Sequence, residues 1–234
     1  MTPDLIVSWP CNCDYPLWRK WIAAERGWFG RVFVVFTDHA GEDISPFVRQ
    51  RMTADITFLD SHADGRDWRD AAINLALDCS GSEWIWFTEQ DLTILRPGTF
   101  WGWVNAAALR WQVIGWHELG QERLHPSCLF TTRAAIERTT RYFGTPPVDH
   151  FHTFTRDLVD TGATIWDMTE RLEQGRDFDH MAGLSQNHHL IDSDGDEEGI
   201  YKRDAFRAYL SDCLRAGMVL EPGWEARARR EIGE

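Results

Sequence analysis

Residues 67–91, DWRDAAINLALDCSGSEWIWFTEQD, hold the reading that decides the fold. Asp67 can cap a helix, Asp70 favours its first turn by opposing the dipole, and Gly81 ends it. The apolar run Trp84, Ile85, Trp86 and Phe87 then reads as a buried strand. It leads directly into Glu89 and Asp91. Residues two apart on an extended chain point the same way, so both carboxylates can aim at one point just past the strand. Two like charges held together need a cation.

Working outward, the same alternation repeats. Residues 4–9 (DLIVSW) and 31–37 (RVFVVFT) are short apolar, β-branched or aromatic runs. Between them, PLWRKWIAAERGWFG sets Leu17, Trp21 and Ala24 at helical spacing, with Gly27 able to end the helix. A short helix near 45–52 and a strand at 56–60 (ITFLD) precede the helix over 67–79 and the strand over 84–88. Such alternation predicts an α/β fold with a doubly wound, mostly parallel sheet, whose ligands lie outside the carboxyl ends of its strands. Glu89 and Asp91 follow such an end. Beyond residue 97 the spacing predicts a strand over 109–118 (LRWQVIGWHE), helices over 131–144 and 151–162, and a short strand over 164–168. From 175 onward the chain is polar and rich in Gly, His and Asp, which predicts a loop closing over the site and a last helix over 202–216. The 234 residues read as one domain with a sizeable core.

Composition narrows the function classes. Thirteen Trp and thirteen Phe are a heavy aromatic load. Most belong in the core, and some, the Trp101/Trp103 pair among them, suit stacking platforms in a cleft. A net charge of −13 opposes a broad electrostatic grip on nucleic acid. The one basic cluster, EARARRE at 225–231, reads as a solvated helix face. The five cysteines are odd in number, and Cys11 and Cys13 lie too close together for the usual zinc pairs. A reduced, cytoplasmic setting is expected. No apolar run approaches the ~18 residues of a membrane span, so no membrane association is expected.

A carboxylate-x-carboxylate element after a buried strand is a hard-oxygen site suited to Mg²⁺ or Mn²⁺ carrying a diphosphate. Residues 72–91, AINLALDCSGSEWIWFTEQD, extend that idea. They resemble the stretch of GT-A-fold glycosyltransferases in which a helix Asn precedes a Gly-acidic turn, a hydrophobic strand and a metal-binding Asp-x-Asp. Here those elements are Asn74, Gly81-Ser82-Glu83, Trp84 to Phe87, and Glu89-Gln90-Asp91. Two departures stand out. The first motif Asp is Glu89, and the Arg that often precedes the Asn is Ile73, leaving Arg69 or Arg66 as substitutes.

The resemblance implies a metal-dependent glycosyltransferase that moves a sugar from a nucleotide-sugar, UDP-linked for preference, to a hydroxyl. It implies a Rossmann-like nucleotide-sugar half over 1–96, an acceptor-side half over 97–174, and a closing segment over 175–234. Mn²⁺ or Mg²⁺ would be held by Asp91 and Glu89, with a late His, His180 ahead of His188, completing the set. Ser8, Trp9, Asp38, Arg69 and Asn74 would face the nucleotide, although Asp38 also reads as a turn residue. Asp149, in PPVDHF, would accept the proton of the attacking hydroxyl in an inverting transfer, although it could instead cap the helix beginning near Phe151. Trp116, His117 and Glu118 would line the acceptor side. Short stand-alone proteins of this kind resemble phage-borne enzymes that glycosylate hydroxymethylated bases in DNA. Modified DNA is therefore one acceptor hypothesis, beside a glycan or small-molecule hydroxyl.

Other classes fit less well. DSDGDEEGIYKR from Asp192 begins like an EF-hand, but Glu197 stands where the turn glycine belongs and Arg203 where the bidentate Glu belongs. No P-loop, GxGxxG or GxSxG element is present. A nucleotidyltransferase would share this sheet and metal but open with a Gly-rich basic loop, which SWPCNCDYP is not. A carbohydrate-binding protein would use the aromatics without the metal.

Overall fold

The computed structural model describes residues 1–10, 27–38, 56–59, 68–89, 92–117, 124–143 and 151–180, with positions 226, 229, 230 and 233. In chain order the strands are β1 (Asp4–Pro10), β2 (Val32–Asp38), β3 (Ile56–Leu59), β4 (Trp84–Glu89), β5 (Leu92–Ile94), β6 (Val113–Gly115), β7 (Cys128–Thr132), β8 (Ile165–Asp167) and β9 (Phe178–His180). The helices are α1 (Trp68–Cys79), α2 (Pro97–Ala107), α3 (Arg133–Ile136) and α4 (His152–Asp160), with a 3₁₀ turn at Met168–Glu170. Seven strands form one sheet in the order β3-β2-β1-β4-β7-β6-β8, and β5 pairs with β9 separately. β1 runs parallel to β2 and β4, β2 to β3, and β6 to β8, while β7 runs antiparallel to both its neighbours. The sheet is therefore mostly parallel and doubly wound, as expected.

Strand periodicity builds two cores, one on each face. Leu5, Val7, Trp84, Trp86 and Phe130 face one way and pack with Phe100, Trp101 and Val104 of α2. Ile6, Ile85, Phe87 and Leu129 face the other way, against Ala72, Ile73, Ala76 and Leu77 of α1 and Phe154 and Leu158 of α4. Small residues let α1 lie close to the sheet. Its last turn carries no basic residue, and arginines from elsewhere meet its end instead. Arg133 donates to the carbonyls of Ser80 (2.8 Å) and Leu77 (3.3 Å), and Arg31 donates to that of Cys79. Cations at a helix C-terminus oppose its dipole.

Several expected elements are corrected. The strand over 109–118 shrinks to Val113–Gly115, because α2 and the turn after it occupy the approach. The helix over 131–144 gives way to β7 and the single short turn of α3. Cys128 to Thr132 are buried on both faces between β4 and β6, and Thr132 caps α3 by accepting from the Ala135 amide. The polar segment from 175 is not loop throughout, since Phe178–His180 forms β9. α2 has no counterpart in the sequence expectations. The helices near 16–27, 45–52 and 202–216 lie outside the described residues or nearly so. Among the described residues, no helix is long and apolar enough to cross a membrane.

Candidate active site at the strand ends

The carboxyl ends of β1, β2, β4, β6 and β8 lie on one side of the sheet, and the antiparallel β7 brings its beginning there. Glu89 closes β4 with its side chain half-buried. Its strand neighbour at the register position is Ser8 of β1, and on the far side of β1 Pro10 pairs with Asp38 of β2. The fold thus gathers Ser8, Trp9, Asp38 and Glu89 at adjacent strand ends. The side chains of Ser8, Trp9, Asp38, Arg69 and His180, and the residues Asp91, Glu118, Asp149 and His188, lie outside what is described.

The backbone still relates several of these positions. β5 begins one residue after Asp91, and its Leu92 pairs with His180 of β9. The late histidine that leads the expected metal set is therefore across the ladder from the residue beside Asp91. Arg69 falls in the first turn of α1, which starts from the strand-end side because it leads back to the beginning of β4. Asn74 is further along α1, and its amide donates to the Arg141 carbonyl at 3.1 Å. Arg141 has a φ of 54°, a left-handed conformation that this hydrogen bond helps to hold.

Residues 143 and 151 frame the segment that carries Asp149. The Phe151 amide donates to the Phe143 carbonyl at 2.7 Å, and the two rings meet at 5.1 Å. Both pack against Phe87, at 5.8 and 5.2 Å, two residues before Glu89. The helix that follows is capped at Phe151, in a left-handed conformation and without a side-chain cap bond. The N-cap position is therefore not that of Asp149.

The aromatic cleft is where expectation and structure part. Trp101 is fully buried and meets Trp86 edge-on at 5.1 Å, so the Trp101/Trp103 pair does not line one surface. Positions two apart on a helix point to opposite sides. Trp103 is 40% exposed, with the Arg171 guanidinium 5.3 Å above its ring. Trp116 is also core, 7% exposed and stacked on His125 and Phe178. His117 is exposed beside it and bridges to Leu124.

Two site residues went unnamed in the sequence. Ser127 donates from Oγ to Glu89 Oε2 at 2.8 Å, and the same oxygen lies 2.7 Å from His125 Nδ1. The available signal was the run CLFTT (128–132), whose β-branched and aromatic residues read as a strand.

Two carboxylates and an imidazole form a donor set that accepts Mn²⁺ or Mg²⁺. The half-buried Glu89, already oriented by a hydroxyl, fits such a role. Among the described residues no group of three or more His, Cys, Asp or Glu side chains could hold a metal, and Glu89 is the one expected ligand whose side chain they include.

A mannosyltransferase from Pyrobaculum calidifontis, solved in complex with GDP-Man and Mn²⁺, matches this structure with a TM-score of 0.52 at 15% identity, over 99% of this chain and 85% of that one. The fold is GT-A-like. At that identity the likeness establishes a shared fold. Weaker matches, each with a TM-score of 0.44, are a 2-C-methyl-D-erythritol 4-phosphate cytidylyltransferase from Thermus thermophilus (12% identity, 71% of this chain and 89% of that one) and TarS from S. aureus (11%, 86% and 68%). Neither is close enough to bear on function. No protein-family model and no curated protein matches the sequence.

Proposed function

We propose that this chain is a metal-dependent glycosyltransferase that moves a sugar from a nucleoside-diphosphate sugar to a hydroxyl acceptor. The observation that carries the reading is the pairing of β5 with β9, which sets position 180 across from position 92 and so beside the Glu89-x-Asp91 motif. Glu89, Asp91 and His180 would hold Mn²⁺ or Mg²⁺, with His188 as the alternative imidazole. When bound, the cation supplies counter-charge to the diphosphate as the glycosidic bond breaks. Ser8, Trp9, Asp38, Arg69 and Asn74 form the nucleotide side. The mannosyltransferase of similar fold was solved with GDP-Man, so GDP joins UDP as a candidate nucleotide.

Asp149 is the general base, accepting the acceptor hydroxyl's proton in an inverting transfer. Phe143 and Phe151, which flank its segment, pack on Phe87, two residues from Glu89, which supports that role. His117 and Glu118 border the acceptor. With Trp101 and Trp116 buried, a flipped DNA base finds no platform in those two rings. Hydroxymethylated DNA is therefore one arm of an acceptor screen, beside glycans and small-molecule hydroxyls.

The test is thermal unfolding with UDP and GDP, in Mn²⁺ and in EDTA. A nucleotide at about 100 times its Kd stabilises by ~2.7 kcal/mol, roughly 5–10 °C for a chain of this size. That shift is expected in Mn²⁺ and absent in EDTA, and Asp91→Asn should abolish it while the apo protein melts as wild type. Equal stabilisation in EDTA overturns the reading.

A further inference from the structure

Glu89 is one end of a hydrogen-bonded column. Ser127, fully buried, donates to Glu89 Oε2 at 2.8 Å. The Ser127 amide donates to His125 Nδ1 at 3.2 Å, so this nitrogen is an acceptor, and Ser127 Oγ lies 2.7 Å from it. The serine is therefore held at its backbone by the imidazole while its hydroxyl meets the Glu89 carboxylate. The Ser127 carbonyl accepts from the Thr88 hydroxyl at 2.7 Å, so its backbone is pinned to β4 as well. The His125 ring lies on Trp116, 4.7 Å between centroids and 18° from parallel. Trp116 also stacks on Phe178, at 5.0 Å and 28°. Phe178 belongs to β9, two residues before His180.

Each link restricts the next. A half-buried Glu side chain has three torsions to fix, and a hydrogen bond to a carboxylate is short, directional and stronger than a neutral one. A serine hydroxyl rotates freely unless something holds its oxygen. The imidazole holds the residue that carries it, by accepting from the Ser127 amide and lying against Oγ, and its own tilt is set by a flat indole. The column thus runs from one carboxylate of the proposed metal set to the strand that carries the proposed imidazole. Ligating groups are commonly oriented by such outer partners, whose removal typically costs 10–100-fold in metal affinity.

We propose that Ser127 and His125 are positioning residues that fix the Glu89 carboxylate for the metal. The inference rests on the glycosyltransferase reading above, in which Glu89 is a ligand.

Titration calorimetry of Mn²⁺ into protein saturated with UDP or GDP tests it. Ser127→Ala is expected to raise the Mn²⁺ Kd about 10- to 100-fold. His125→Phe keeps a flat ring against Trp116 and removes Nδ1, and should raise it too. His125→Asn, whose amide can occupy the place of Nδ1, should recover part of the loss. A merely structural role would lower the metal-free melting temperature and leave the Mn²⁺ Kd of the folded variants unchanged. An unchanged Kd in both Ser127→Ala and His125→Phe overturns the inference and leaves the glycosyltransferase reading standing. Wild-type protein that takes up no Mn²⁺ with either nucleotide overturns both.

Discussion

Replacing Asp149 by Asn removes a proton acceptor and keeps the shape of the side chain. If Asp149 is the base, turnover should fall roughly 10²–10⁴-fold, with metal-dependent nucleotide binding nearly unchanged. Asn caps a helix about as well as Asp, and the N-cap of α4 is Phe151 in any case. Stability should therefore hold, and near-normal turnover would move the base elsewhere. Asp157 is a poor substitute, since it already accepts from the Thr140 amide and hydroxyl. At this scale the sequence was legible where a local rule applied. Strand ends picked out Ser8, Asp38 and Glu89, which the register brings to neighbouring positions. Ser127 and His125 were hidden because their relation to Glu89 spans 38 residues in one bond and depends on the direction of β7.

Among the elements, β9 hangs on one carboxylate. Asp177 is fully buried, accepts from the Glu173 amide at 3.0 Å and from Arg176 at 2.6 Å, and meets Arg96 at 3.3 Å. Its own carbonyl accepts from the amides of Leu95 and Arg96, just past β5. The hydrogen bond from Arg176 is the main cause holding the Asp177 carboxyl below the usual carboxylate range. A folded value below the unfolded one gives stability that is complete above about pH 4 and lost as pH falls through the folded value. Asp177→Asn should cost roughly 1–3 kcal/mol at neutral pH, toward the low end because both arginines are half-exposed and screened. Urea melts from pH 7 downward should show that deficit narrowing in acid, whereas a constant deficit would mean a packing role. The parallel strands were legible as apolar runs bounded by turns. α2 was not, because a glycine- and tryptophan-rich sequence has little helix propensity and forms a helix here through the burial of Phe100, Trp101 and Val104. β7 was misread because TTRAAIERTTRYFG continues it with residues that suit a helix.

Over the whole molecule, the aromatic rings among the described residues belong mainly to the two cores. Trp84, Trp86, Trp101, Trp116 and Trp166 join one face, while Phe87, Phe143, Phe151 and Phe154 cluster on the other. Trp101→Ala should therefore cost about 3–5 kcal/mol, a drop of roughly 6–20 °C in Tm, and Trp103→Ala at the exposed neighbouring position about 1 kcal/mol or less. Similar losses from both would mean that α2 buries a different face. Composition foretold the quantity of aromatic surface but not its allocation, which is set by which strand residues face α2 and which face α1 and α4. The join between Phe143 and Phe151 has a separate consequence. Because an amide, a carbonyl and a four-ring phenylalanine packing hold residues 143 and 151 together, the two ends of the chain between them are tied by the scaffold. A change in the number of residues between those ends should therefore cost little in closure entropy and leave the sheet and helices standing.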